Sequence, residues 1–97
     1  MTVNGPYTVL ITLHPNPNQH TAEDWTEYNL CGDKVTFDSV GDAIRVASSC
    51  IDDGNSAIIQ GRAWDEDCGW DAVNVWTGIR RFGGEPEIDD LTDHYGC

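Results

Sequence analysis

Asp65, Glu66, Asp67 and Asp71 fall within seven residues of one another, and Trp64 and Trp70 bracket the first three. Carboxylates beside large aromatics suit recognition of a basic protein surface. The indoles supply anchors that gain from leaving water, and the acids steer the encounter and pair with Lys or Arg. The simpler alternative is a solvated turn whose tryptophans close a small core. Asp65, Glu66, Asp67, Trp70 and Asp71 are therefore the first candidate partner-binding residues. A second acidic set, Glu85, Glu87, Asp89 and Asp90, follows in a segment that also holds Asp93 and no Lys or Arg.

Other chemistries fit these residues less well. An EF-hand loop starting at Asp65 needs acids at its first, third and fifth positions, Gly at the sixth and Glu at the twelfth. Here the fifth position is Gly69 and the twelfth is Trp76. His94 and Cys97 are spaced like half of a zinc site, but the other candidates, His14, His20, Cys31 and Cys68, are scattered, whereas zinc motifs use closely spaced pairs. No G-x-S-x-G and no Gly-rich phosphate loop occurs, and Gly83-Gly84 reads as a breaker. The expectation is a protein without catalytic residues, metal ligands or cofactor.

Charge decides which partners remain. Seventeen acids against five bases give a formal charge of -12 in 97 residues. That much like charge costs the compact state self-repulsion. It disfavours direct contact with nucleic acid or an anionic membrane, both of which reward Lys and Arg. Four tryptophans could stack bases, but almost no basic charge is present to hold the phosphates. A basic, nucleic-acid-binding protein or complex is the expected partner.

The elements that carry these residues can be read from periodicity. Tyr7 to Leu13 alternates apolar residues and threonines, the pattern of a strand; Leu10 on its second face suggests that this face is partly covered. His14 to His20, with two prolines and two asparagines, reads as a loop. Thr21 to Phe37 admits a short helix opened by Thr21 and Asp24, or a hairpin turning at Gly32-Asp33; the alternation of Thr26, Tyr28 and Leu30 and of Val35 and Phe37 favours the hairpin. Ser39 to Asp53 predicts a helix. Its Ser39-x-x-Asp42 start resembles a capping box, Val40, Ala43, Ile44, Ala47 and Ile51 form one apolar stripe, and Gly54 ends it. Cys50 on the apolar side reads as a small core residue.

Ala57 to Trp64 and Trp70 to Thr77 predict two strands joined by the acidic loop, with Val73 and Val75 on one face and Trp70, Asn74 and Trp76 on the other. Ile79 to Phe82 extends the second strand or forms a short one of its own. The predicted architecture is a small α+β domain over residues 1–84, one amphipathic helix on a largely antiparallel sheet of four to five strands. Residues 85–97 follow as an extended or mobile acidic tail, with Ile88, Leu91 and Tyr95 as possible anchors. No apolar run is long enough for a membrane span, the first residues lack a signal-peptide pattern, and the expected location is the cytoplasm with free thiols.

In size and charge, and in no motif, the chain resembles phage anti-CRISPR proteins, other phage DNA mimics and immunity proteins of nuclease toxins. The expectation that follows is a non-enzymatic inhibitor that covers the basic surface of a nucleic-acid-handling complex, of the anti-CRISPR or related counter-defence type. The alternatives are an immunity protein, and an acidic domain whose charge serves cations or salt adaptation.

Overall fold

A computed structural model describes residues 3–12, 26–27, 29–30, 33–67, 69–80 and 85–95. It is an α+β domain with one long helix on an antiparallel sheet. The elements in chain order are β1 (Asn4–Thr12), β2 (Thr26–Glu27), β3 (Asn29–Leu30), β4 (Asp33–Lys34), β5 (Thr36–Phe37), α1 (Val40–Asp52), β6 (Ser56–Asp65), β7 (Gly69–Arg80), β8 (Pro86–Asp90) and α2 (Thr92–Tyr95). The sheet runs β2-β1-β6-β7-β8, and β5 also pairs with β1. Among the described residues no helix is long and apolar enough to cross a membrane.

Of the segment that sequence leaves open between helix and hairpin, the described residues include four short strands, β2 to β5, and no helix. Asn29 pairs with Lys34 and Leu30 with Asp33. Only positions 31 and 32 lie between the closing pair, so Asp33 belongs to the second arm and not to the turn. Thr26–Glu27 and Thr36–Phe37 each pair with β1. The candidate helix start at Thr21 and the loop at 14–20 lie outside the described residues.

Helix α1 buries Ala43, Ala47, Cys50 and Ile51, with Val40 and Ile44 packed at the margin. Thirteen residues are marginal as an isolated helix, so the stripe's contact with the sheet holds it. Its C-terminus is a Schellman motif: Asn55 N–H donates to the Cys50 carbonyl and Gly54 N–H to that of Ile51, both at 3.0 Å. Gly54 has φ 101°, which glycine adopts without a Cβ clash. The expected capping box does not form. Ser39 occupies the N-cap without a side-chain hydrogen bond, and Asp42 instead meets Arg45 one turn on, at 3.5 Å. Such an exposed pair contributes little.

The core lies between α1 and one face of the sheet. Val9, Ala57, Ile59 and Ala63 point into it, as strand alternation requires. Leu10 is half-buried and Ile58 only 8% exposed, although both alternate to the other face, which is therefore partly covered, as Leu10 suggests. Strict alternation fails once. Ile59 faces Trp76 but Gln60 faces Asn74, so β7 carries one extra residue, Val75. A bulge turns successive side chains to the same side. Val75 and Trp76, expected on opposite faces, are consequently both in the core, 0% and 3% exposed. Gly78 makes this packing possible: a Cβ there would collide with Ile51 Cδ1 and press on Trp76 and Ile88.

Within the acidic segment expected to be a tail, Pro86–Asp90 forms an edge strand of the sheet. Asp90, Asp89, Ile88, Glu87 and Pro86 pair in turn with Trp76 through Arg80. Leu91 N–H donates to the Val75 carbonyl, and the N–H of Val3 to that of Tyr95. Ile88, Leu91 and Tyr95 had been the only anchors visible in sequence; backbone pairing, which needs no particular side chain, supplies the rest. Asp90 Oδ1 accepts from Thr92 N–H at 3.0 Å and from Thr92 Oγ1 at 2.6 Å. These two bonds hold its carboxyl below the usual carboxylate range.

Burial pushes the Cys50 thiol up from its ordinary value, and the charge of Asp53 adds to the shift. The folded chain then holds this proton where the unfolded chain has released it. Its contribution to stability is complete below the unfolded thiol's pKa of about 8.5 and is lost as pH rises towards the folded value. We expect the urea midpoint to fall between pH 7.5 and 9.5, and to fall less in Cys50→Ala, measured as paired unfolding curves.

Candidate functional site

Strands β6 and β7 outrun their neighbours. The last residue of β6 paired with β1 is Arg62, and β8 reaches along β7 only as far as Trp76. Residues 63–67 and 69–71 form a two-stranded arm with no further strand on either side among the described residues. A lone hairpin is marginal in water, so this arm needs support of its own. It has two devices. Gly69 sits at φ 77°, a left-handed turn position where a Cβ costs roughly 1–2 kcal/mol. Trp64 and Trp70 form the cross-strand pair nearest the tip but one, their rings edge-to-face at 5.3 Å and 68°.

Both indoles nevertheless remain 58% and 59% exposed. They are two of the three large apolar side chains most open to water among the described residues, Ile88 being the third. Glu66 and Asp67 lie at the turn beyond them, both exposed. The backbone of Asp65 pairs with that of Gly69.

Alternation divides the predicted set. Trp64 and Trp70 stand on the sheet face away from α1, along with Arg62 and Asn74. Asp71 pairs with Ala63, a core residue, and so lies on the helix side, exposed at its margin. The arm therefore presents aromatics on one face, an acid on the other and acids at its tip.

The second acidic set is elsewhere. Asp89 is level with Thr77 and Glu87 with Ile79. Seven residues of β7 separate Trp70 from Thr77, roughly 23 Å at the usual strand rise. That is more than twice the screening length of about 10 Å at 0.1 M salt. The two acidic sets thus act on a ligand as separate patches. Glu87 and Asp89 alternate with Ile88 and Asp90, and Asp90 is engaged by Thr92; Glu85 is exposed just before the strand.

Sequence reasoning did not single out the polar face beside the tryptophans. Gln60 Nε2 donates to Asn74 Oδ1 at 2.9 Å across β6 and β7. Pro6, Thr8, Gln60, Arg62 and Ala72 surround a depression of about 210 Å³, smaller than the roughly 300 Å³ at which ligand pockets begin. Arg62 is exposed and makes no ion pair among the described residues. The period-two spacing of Gln60, Arg62 and Trp64 was the signal that could have found this face.

Among the described residues no three His, Cys, Asp or Glu side chains converge on a point that could hold a metal ion. His94 is stacked edge-on against Tyr95 at 4.9 Å; Cys31, Cys68, Cys97, His14 and His20 lie outside the described residues. No protein-family model, curated protein or solved structure matches the chain.

The Trp64–Trp70 contact also has a structural role that can be separated from recognition. Removing either ring, as Trp64→Ala or Trp70→Ala, is expected to cost about 0.5–1.5 kcal/mol. Thermal unfolding followed by circular dichroism will show a fall in Tm of several degrees for each. The double variant should lose little more than one single variant, because one contact is removed in every case.

Proposed function

We propose that this protein is a non-enzymatic inhibitor of the anti-CRISPR or related phage counter-defence type. It binds the basic, nucleic-acid-handling surface of a larger protein or complex, partly by presenting carboxylates where phosphates would lie. The observation that carries this reading is the free arm: two largely exposed tryptophans at its neck, Glu66 and Asp67 at its tip, on a chain of charge -12. A strand-built arm enters a groove that a flat sheet cannot. Its acids draw in Lys and Arg side chains over several ångströms, and the indoles then give desolvated anchors, with Arg stacking on the rings.

The test is cleavage of target DNA by a panel of RNA-guided nucleases, with and without the purified protein. Inhibition of one effector, relieved by raised salt and by excess non-specific duplex, is the expected result. The reading fails if every effector cleaves at full rate and a host-lysate pull-down at low salt retains no nucleic-acid-binding complex.

A further inference from the structure

We infer that the outer edge of β7 from Gly69 to Asn74 takes up an extended basic segment of the partner as an added strand. This rests on the inhibitor reading and specifies what the arm recognises. The edge is open for a structural reason. Strand β8 covers Trp76 through Arg80 only. The chain then leaves the sheet at Leu91, whose N–H donates to the Val75 carbonyl at 2.9 Å, and the Asp90–Thr92 hydrogen bonds start the turn of α2. Along Gly69–Asn74 no strand pairs with the outer edge of β7 among the described residues, although α2, whose Tyr95 carbonyl accepts from Val3 N–H, packs against β7. Asp71, Ala72 and Asn74 are exposed there, and Val73 is partly so.

Alternate residues of such an edge present their N–H and C=O groups outward, a template for one more strand. Proteins usually guard such edges with Lys or Pro. The run Gly-Trp-Asp-Ala-Val-Asn holds neither, and its one charge is negative. That charge selects the occupant. A second copy of this chain would bring Asp71 and the Glu66–Asp67 tip of one -12 molecule against another. Nucleic acid is repelled for the same reason. A strand with Arg or Lys at alternate positions places cations beside Asp71 on one face of the sheet, or against the exposed ring of Trp70 on the other. Glu66 and Asp67 lie beyond one end of the gap and Asp90 beyond the other. Six residues span about 20 Å, the length of an ordinary strand.

The probe is a fluorescein-labelled peptide alternating Arg and Thr over six residues, titrated by fluorescence anisotropy at low salt. Two analogues carry the same charge with N-methyl groups on the odd or the even amides. Strand addition uses one set of amides and leaves the other in water. One analogue is therefore expected to bind at least tenfold more weakly and the other like the parent, with exchange of the outward-facing, alternate amides within 69–74 slowed by the parent peptide. Equal binding of all three overturns strand addition and leaves charge attraction, and with it the inhibitor reading, intact. Failure of the parent to bind also overturns it. So does a concentration-dependent dimer that protects the same amides, which would make a second copy the occupant. Failure of the inhibitor reading itself shows separately, in the nuclease assay.

Discussion

Trp76→Ala is expected to lose about 3–5 kcal/mol of stability, a large part of the 5–15 kcal/mol typical of a domain. The indole is 3% exposed, faces Ile59 across β6 and lies beside the Gly78 gap where Ile51 and Ile88 meet. The core also holds Ala43, Ala47, Ala57 and Ala63, all essentially inaccessible. Such short side chains cannot reach into the space that truncation leaves, and close packing limits how far the isoleucines beside it can relax. At 4–8 °C per kcal/mol for a domain of this size, Tm should fall by more than ten degrees in a calorimetric or circular-dichroism melt. Trp64→Ala removes the same side chain from a site that is 58% exposed and should cost less than half as much. If the two variants melt alike, Trp76 does not hold the core together.

That contrast among tryptophans was only partly legible in the sequence. Period-two alternation placed β1, β6 and β7, and the 3–4 spacing with Gly54 placed α1 within a residue of its observed ends, because both patterns report burial directly. Alternation also implies that Val75 and Trp76 point apart. The bulge that reverses this has no local signature: neither residue is a glycine, and it follows from how β6 and β7 align over their whole length. The strand β8 was hidden for a related reason. Its acids look like a solvated segment, yet Glu87, Asp89 and Asp90 leave the backbone free to pair with β7. An edge strand can be charged without cost to the core, and that charge deters pairing with other chains.

Of the candidate site, the sequence showed which residues are chemically apt and where they cluster along the chain. Strand parity already puts Asp71 and Trp70, adjacent in sequence, on opposite faces of the arm. It could not show that Glu87 and Asp89 lie a strand's length from the hairpin tip. Facing follows from parity once a strand is established; separation follows only from the order of strands, in which β8 pairs with the far half of β7. The open edge between β8 and the tip is likewise a property of where pairing stops.

Replacing Asp65, Glu66 and Asp67 together by Lys changes three charges from -1 to +1 and takes the chain from -12 to -6. The association rate with the inhibited effector is expected to fall roughly tenfold or more, since electrostatic steering accelerates encounter by 10–1,000-fold. Its dependence on salt should flatten as well. Dissociation should change less, because the indole anchors are untouched; Trp70→Ala should show the converse, a faster dissociation with near-normal association. The fold should tolerate the triple change. Glu66 and Asp67 are exposed, and relief of self-repulsion works in favour of the compact state. Stopped-flow or surface-binding kinetics at two salt concentrations will separate these effects. The same reversal at Glu85, Glu87 and Asp89, which also takes the chain to -6 but lies roughly two screening lengths away, serves as the control for net charge. If it slows association as much as the hairpin triple does, the overall field and not the arm directs the encounter. If the triple leaves association unchanged, the arm is not where the partner docks.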